Sequence, residues 1–204
     1  MIKVKICGIT NQEDASAAQA AGCDALGFIF YRKSKRFIRP EAAKKIIKTL
    51  AKNIKKVGVF VDAEEKTIKN IANSCDLDIL QFHGDETPEF CLKFKGYKVI
   101  KAFRVKKKID FSKVKKYKTF GYLFDAFVRE RVGGTGRSFN WNLLKPSGKT
   151  RQPIFLSGGL SSKNVKEAIG IVRPDWVDVS SFVESKPGKK DHQKVRAFIK
   201  AAKA

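Results

Sequence analysis

Short β-branched or aromatic runs alternate with longer amphipathic stretches along the chain, always in the order strand then helix. The candidate strands are Lys3–Ile6, Ala25–Phe30, Lys56–Val61, Ile79–Phe82, Val99–Phe103, Gly121–Phe124, Pro153–Leu156 and Trp176–Val179. Strands joined by helical crossovers must run parallel, because an antiparallel pair needs only a tight turn. Eight such units in about 200 residues match the lower size limit of a (β/α)8 barrel. A doubly wound open sheet is the competitor, and it would normally carry a glycine-rich fingerprint after its first strand. Here that strand runs into Cys7-Gly8-Ile9-Thr10, with no G-x-G-x-x-G. The expectation is a single (β/α)8 TIM barrel over residues 1–204, since no linker or low-complexity tract interrupts the series.

Local signals mark the intervening helices. Thr10 with Glu13 reads as a capping box, Asp62 with Glu65 as an Asp-started analogue, and Pro40 and Pro88 suit the first helical turn. Gly22 and Gly170 stand where left-handed C-terminal caps would fall. Ile46, Ile47 and Leu50 supply the apolar stripe of the second helix. The last helix, about Asp191 to Ala202, turns Val195, Phe198 and Ile199 inward.

Composition narrows the function classes. With 43% hydrophobic residues, 16 Phe and two Trp, the chain of 204 residues can bury a core and is not disordered. Its longest apolar stretch, Ala25 to Tyr31, is far short of the roughly 18 residues that span a bilayer. No secretion signal follows Lys3 and Lys5, so a cytoplasmic protein with no membrane association is expected. Cysteines at 7, 23, 75 and 91 form no C-x-x-C, and His83 and His192 are the only histidines; no metal site is expected. The net charge of +23 raises a nucleic-acid reading. Its densest block, Lys101 to Lys118, and the basic residues scattered over helices read instead as solvated faces, and the same field would attract a small anionic substrate.

In a barrel the strand C-termini converge on one face, so the residues just past each strand form a candidate site. They are Cys7, Tyr31 to Arg36, Asp62, His83, Arg104, Asp125, Ser157-Gly158-Gly159 and Ser180-Ser181. Glycines and small hydroxylated residues after strands seven and eight let backbone N–H groups approach a phosphate, although Gly158-Gly159 can also simply turn the chain. Cys7 and Asp125 make an acid–base pair if nearby positive charge favours the thiolate and burial or a negative neighbour raises the carboxyl. Spacing alone leaves open a buried filler thiol and a turn-capping aspartate. Gly133-Gly134-Thr135-Gly136-Arg137 lacks the ending of a Walker loop and fits a lid after strand six. The basic loop Tyr31 to Arg36 is either an anion clamp or a solvated loop.

These residues resemble the phosphoribosylanthranilate isomerase family of tryptophan biosynthesis. The likeness runs through Lys5-Ile6-Cys7-Gly8-Ile9-Thr10, Gly27-Phe28-Ile29-Phe30-Tyr31 to Ser34-Lys35-Arg36, Val57-Gly58-Val59-Phe60-Val61 and Gln81-Phe82-His83-Gly84. It continues through Gly133 to Gly136, Phe139-Asn140-Trp141, Leu156-Ser157-Gly158-Gly159-Leu160, Val177-Asp178-Val179-Ser180-Ser181 and Pro187-Gly188-Lys189-Lys190-Asp191. The resemblance implies a cofactor-free Amadori rearrangement with Cys7 as general base and Asp125 as general acid. It implies further that Arg36 holds the anthranilate carboxylate, that His83 and Asp178 line the sugar site, and that Gly158, Gly159, Ser180 and Ser181 bind phosphate. The partner is then the small-molecule substrate, acted on by a monomer or a homodimer. Phe182 departs from the small residue usual after the two serines, Asn140 stands where Asp is frequent, and Ala126 to Val132 is individual.

Three rivals are weaker. A related sugar-phosphate barrel isomerase of histidine biosynthesis would carry Asp on the first strand and an internal half-barrel repeat. An indole-forming barrel synthase needs its own lysine and glutamate set. A non-catalytic RNA-binding barrel would make use of the charge alone, and nucleic acid is not the expected partner.

Overall fold

The computed structural model describes residues 1–105, 109–125, 141–144 and 151–204. Eight parallel strands close into a barrel in chain order: β1 (Lys3–Cys7), β2 (Ala25–Ile29), β3 (Lys55–Phe60), β4 (Ile79–Phe82), β5 (Lys98–Arg104), β6 (Gly121–Asp125), β7 (Ile154–Ser157) and β8 (Trp176–Val179). The ring is completed by β1 against β8, from Lys3 opposite Trp176 to Ile6 opposite Val179. Helices α1 (Gln12–Ala20), α2 (Pro40–Ile47), α3 (Glu65–Ser74), α4 (Pro88–Cys91), α5 (Phe111–Val114), α6 (Val165–Val172) and α7 (His192–Lys203) lie between or after the strands. Between β6 and β7 the described residues hold one 3-10 turn, Trp141–Leu144. A hairpin of β9 (Glu184–Lys186) and β10 (Lys189–Lys190) separates β8 from α7.

The expected barrel is the observed fold, with each strand boundary within one residue of its expected place. One consequence is chemical: Cys7, Arg104, Asp125 and Ser157 are the last residues of their strands rather than the first beyond them. They therefore keep the strand's inward and outward alternation.

That alternation builds the interior. Towards the strand N-termini it packs Ala25, Val57, Ile79, Ile100, Leu123, Phe155 and Trp176 into the barrel, with Phe155 and Trp176 stacked at 5.1 Å between ring centres. Nearer the C-terminal end the inward positions become polar, with Lys5, Gln81 and Asp178 all buried. Outward positions such as Val4, Ile6, Leu26, Phe28, Leu80 and Phe82 meet Ala15, Ala18, Ala43, Ile68, Val195 and Phe198 of the helices. Each such large side chain contributes about 1.5–3 kcal/mol by leaving water.

Several local expectations are corrected. The cap of α1 is Asn11, which accepts from Asp14 N at 2.8 Å, while the Thr10 hydroxyl instead donates to the carbonyl of Gly188 in the hairpin. Helix α3 starts after Glu64 with no side-chain cap, and Asp62 sits at φ +47° with its carboxylate accepting from Asp85 N. Gly170 lies inside α6, and Arg173 takes the left-handed cap at φ +51°. Pro40, Pro88 and Gly22 do occupy the expected helix-end positions. Lys101, expected on a solvated face, is buried: its ammonium meets Glu86 Oε2 at 3.0 Å and Gly84 O at 2.7 Å.

Candidate active site

At the C-terminal mouth a cavity of about 230 Å³ is lined by Cys7, Arg36, His83, Asp125, Gly158, Gly159, Asp178, Ser180 and Ser181, among others. The nine site residues singled out in the sequence thus border one space. Asp62 and Arg104, also at strand ends, do not border it, and of the loop from Tyr31 to Arg36 only Arg36 does. Phe182, exposed at 40%, reaches its rim. The lid Gly133 to Arg137, the segment Ala126 to Val132, and Asn140 lie outside the described residues.

Around Cys7 the backbone leaves unusual room. A Cβ on Gly27, in the neighbouring strand, would stand 2.7 Å from the Cys7 sulfur and 3.1 Å from Lys5 Cε. Burial pushes the Cys7 thiol up; the Lys5 ammonium pulls it down, Asp178 adds to the rise, and Lys190 opposes it. The nearby positive charge that the sequence called for is present in Lys5 and Lys190, and burial outweighs it. The other three cysteines are also free and buried.

Lys5 and Asp178 are register partners on β1 and β8, and their side chains pair at 2.8 Å deep in the barrel. Asp178 accepts also from Ser157 Oγ at 3.2 Å. On the opposite flank His83 Nε2 lies 3.2 Å from Asp125 Oδ2, and His83 Nδ1 3.0 Å from Gln81 Nε2. With Gln81 donating through Nε2, His83 accepts at Nδ1 and can donate from Nε2 to Asp125.

Gly8, at φ +79°, leaves Arg36 room to reach the mouth, since a Cβ there would lie 2.7 Å from Arg36 Cδ. Its Nε and Nη2 donate to the two oxygens of Glu184 at 2.8 and 2.6 Å, a fork that leaves three N–H bonds for another anion. Glu184 is in turn held by Lys190, whose Nζ meets Glu184 Oε1 at 3.0 Å and the carbonyls of Cys7 at 2.6 Å and Ser180 at 3.2 Å. Burial pulls against the Glu184 carboxylate, but Arg36 and Lys190 outweigh it and hold the carboxyl below its usual range. Burial draws Lys190 down, with Glu184 opposing.

The last corner joins the loops after β7 and β8. Gly158 and Gly159 both have positive φ, +89° and +67°, a conformation that side chains disfavour. Asn164 pins the loop by donating to Gly159 O and accepting from Ser161 N. Beside it the Ser180 hydroxyl is buried with no hydrogen-bond partner among the described residues, as is Gln81 Oε1 deeper in the barrel. A buried orphan hydroxyl next to two left-handed glycines suits an anion that brings its own acceptors.

A family model described as N-(5'phosphoribosyl)anthranilate (PRA) isomerase matches residues 4–201. The chain belongs to the N-(5'-phosphoribosyl)anthranilate isomerase family. A relative of that name from Geotalea uraniireducens is 53% identical over 203 residues, covering 100% of this chain and 99% of its own. The crystal structure of phosphoribosyl anthranilate isomerase from Thermotoga maritima superposes with a TM-score of 0.92 at 45% identity, covering 100% of this chain and 99% of that one. A further structure of the enzyme, in complex with reduced 1-(o-carboxyphenylamino)-1-deoxyribulose 5-phosphate, gives 0.90 at 44% identity with the same coverage. Family membership sets aside the histidine-pathway, indole-forming and RNA-binding readings.

Sequence reasoning missed Lys5, Gln81, Glu184 and Lys190. Lys5 carried a signal, since it stands two residues before Cys7 on one strand and so shares its inward face. Lys190 stands in the Pro187-to-Asp191 stretch that shares the resemblance but is given no role by it, and Glu184 carried no signal, because the hairpin brings them to Arg36 from 148 and 154 residues away.

Proposed function

We propose that this chain converts N-(5'-phosphoribosyl)anthranilate to 1-(o-carboxyphenylamino)-1-deoxyribulose 5-phosphate, with Cys7 as general base and Asp125 as general acid. Asp125 protonates the ribose ring oxygen and the ring opens to a protonated Schiff base. Cys7 then removes the proton from the adjacent sugar carbon, giving an enolamine that tautomerises to the ketose. The reactive pair, thiolate and carboxylic acid, holds the same number of protons as the thiol and carboxylate. The positive Schiff base beside Cys7 favours the thiolate when it is needed, offsetting burial. Arg36 takes the anthranilate carboxylate with the N–H bonds that Glu184 leaves, and Gly158, Gly159, Ser180 and Ser181 take the phosphate. His83 and Asp178 bound the sugar between them.

The observation that carries this reading is a mouth cavity in which Cys7 and Asp125 meet an anion-ready corner whose Ser180 hydroxyl has no partner among the described residues. Every group invoked comes from one chain, so the reading needs no second subunit. It also takes residues 1–204 as one catalytic domain acting in the cytoplasm, which four free cysteines support. No helix among the described residues is long and apolar enough to cross a membrane.

Loss of phosphoribosylanthranilate fluorescence, with substrate generated in situ, tests the proposal on the wild type, Cys7→Ser and Asp125→Asn. Rapid decay in the wild type alone is expected. Unchanged decay in either variant would reject that residue's role, and wild-type decay at the spontaneous rate would reject the activity.

A further inference from the structure

Lys5 is fully buried in the upper barrel, where the interior could have continued as it begins. Below it the inward positions are Ala25, Val57, Ile79, Leu123 and Phe155. Replacing a buried ion pair with apolar side chains of similar volume is often neutral or stabilising, so folding alone gives the Lys5–Asp178 pair little reason to exist. What distinguishes the position is its neighbour. Lys5 and Cys7 project from alternate positions of β1 into the space opened by Gly27, so close that one Cβ there would crowd both.

We propose that Lys5 is a positioning residue for the reaction: anchored on Asp178, its ammonium holds the negative charge of the Cys7 thiolate and makes that sulfur usable as a base. The inference rests on the proposed role of Cys7. Among the described residues the charged groups that face the sulfur are Lys5 on β1, Asp178 on β8 and Lys190 beside the end of β1, while β2 presents Gly27 and no charge. Asp178 alone would repel a thiolate; Lys5 reverses that sign. Its three N–H donors suffice for Asp178 Oδ1 at 2.8 Å and for the sulfur. Lys190 is a weaker partner, because its ammonium is committed to Glu184 and to the carbonyls of Cys7 and Ser180. Burial pulls the Lys5 ammonium down, yet Asp178 and Cys7 raise it beyond its ordinary value, so it stays charged through the neutral range.

The test reads the sulfur directly. The full chain is alkylated with iodoacetamide across a pH series, and modification of Cys7 is followed by peptide mass spectrometry in the wild type and in Lys5→Met. The expected result is an alkaline displacement of the Cys7 profile, with modification at pH 8 slowed about tenfold or more, one pH unit of displacement. The kcat–pH profile should move the same way, with KM changed less than kcat. A Cys7 profile that coincides with wild type overturns the proposal.

Lys5→Met leaves Asp178 without its cation, so Lys5→Met/Asp178→Asn is measured beside it. Because the pull of Lys5 on the thiol exceeds the push of Asp178, the double variant should also react more slowly than wild type. If neither variant folds, Lys5 is a structural residue and the proposal falls. The two readings fail separately: full activity in Cys7→Ser removes the base but leaves the alkylation result standing, whereas an inactive Cys7→Ser with an unmoved Lys5→Met profile removes only Lys5.

Discussion

The two ends of the barrel use the same types of positive residue in opposite ways. At the C-terminal mouth Lys5, Arg36 and Lys190 each meet a carboxylate at 3.0 Å or less, and all three are largely withdrawn from water. At the N-terminal floor Lys3, Lys55, Lys98 and Arg173 surround a larger cavity of about 530 Å³, and none pairs with a carboxylate among the described residues. Lys3 lies over the Trp176 ring at 5.3 Å and Lys98 over Phe120 at 5.0 Å, with their heads in solvent. Neither cavity size nor net charge locates chemistry here. The proposed chemistry sits where paired, desolvated charge borders a cavity, because there an ammonium is fixed in place and little screened; the equally buried Lys101–Glu86 pair borders no part of that cavity.

The sharpest way to break this contrast is at the proposed acid and base. Cys7→Ser and Asp125→Asn should each lower kcat by about 10²–10⁴-fold, read from substrate fluorescence decay. A smaller but still large effect belongs to Glu184→Ala, which strands Lys190 and frees Arg36. Losing one partner of a buried pair costs about 3–5 kcal/mol, measurable by urea unfolding, and KM should rise with it.

Acid sharpens the same point. The carboxyl of Glu184 is held below its unfolded value, so its stabilisation is complete above the ordinary carboxylate range and is lost as pH falls through the folded value. The Tm difference between wild type and Glu184→Gln, followed from pH 7 downward, should therefore shrink on the acid side. Smallest of all are changes at the floor: Lys55→Ser and Lys98→Ser should stay within about 0.5 kcal/mol of wild type and keep its kcat.

The barrel and most of its mouth were legible because both follow from short-range pattern. Alternation of strands and helices along the chain leaves one closed parallel arrangement, and strand ends bring Cys7, His83, Asp125 and Ser180 to one face whatever the loops do. Helix starts were less readable. Thr10 has a capping side chain, but the hairpin carbonyl of Gly188 competes for its hydroxyl, and Asn11 caps the helix instead. Asp62 likewise serves the next loop through Asp85. Lys101 and Lys5 were hidden by their own type: a lysine in a basic chain reads as solvent-facing, and only a distant partner, Glu86 or Asp178, makes its burial tolerable. The partners of Arg36 come from a hairpin whose Pro187-to-Asp191 stretch shares the family resemblance but carries no local mark of its contact with Arg36.

Calorimetric titration with reduced 1-(o-carboxyphenylamino)-1-deoxyribulose 5-phosphate tests the assignment of chemistry to the mouth most directly. It would compare wild type, Arg36→Met, and a floor variant combining Lys3→Ser, Lys55→Ser, Lys98→Ser and Arg173→Ser. Affinity at wild-type level in the floor variant and a loss of about tenfold or more in Arg36→Met is the expected result, since a hydrogen bond to a charged group is worth about 1.5–3 kcal/mol. Weakened binding in the floor variant with full affinity in Arg36→Met would contradict it.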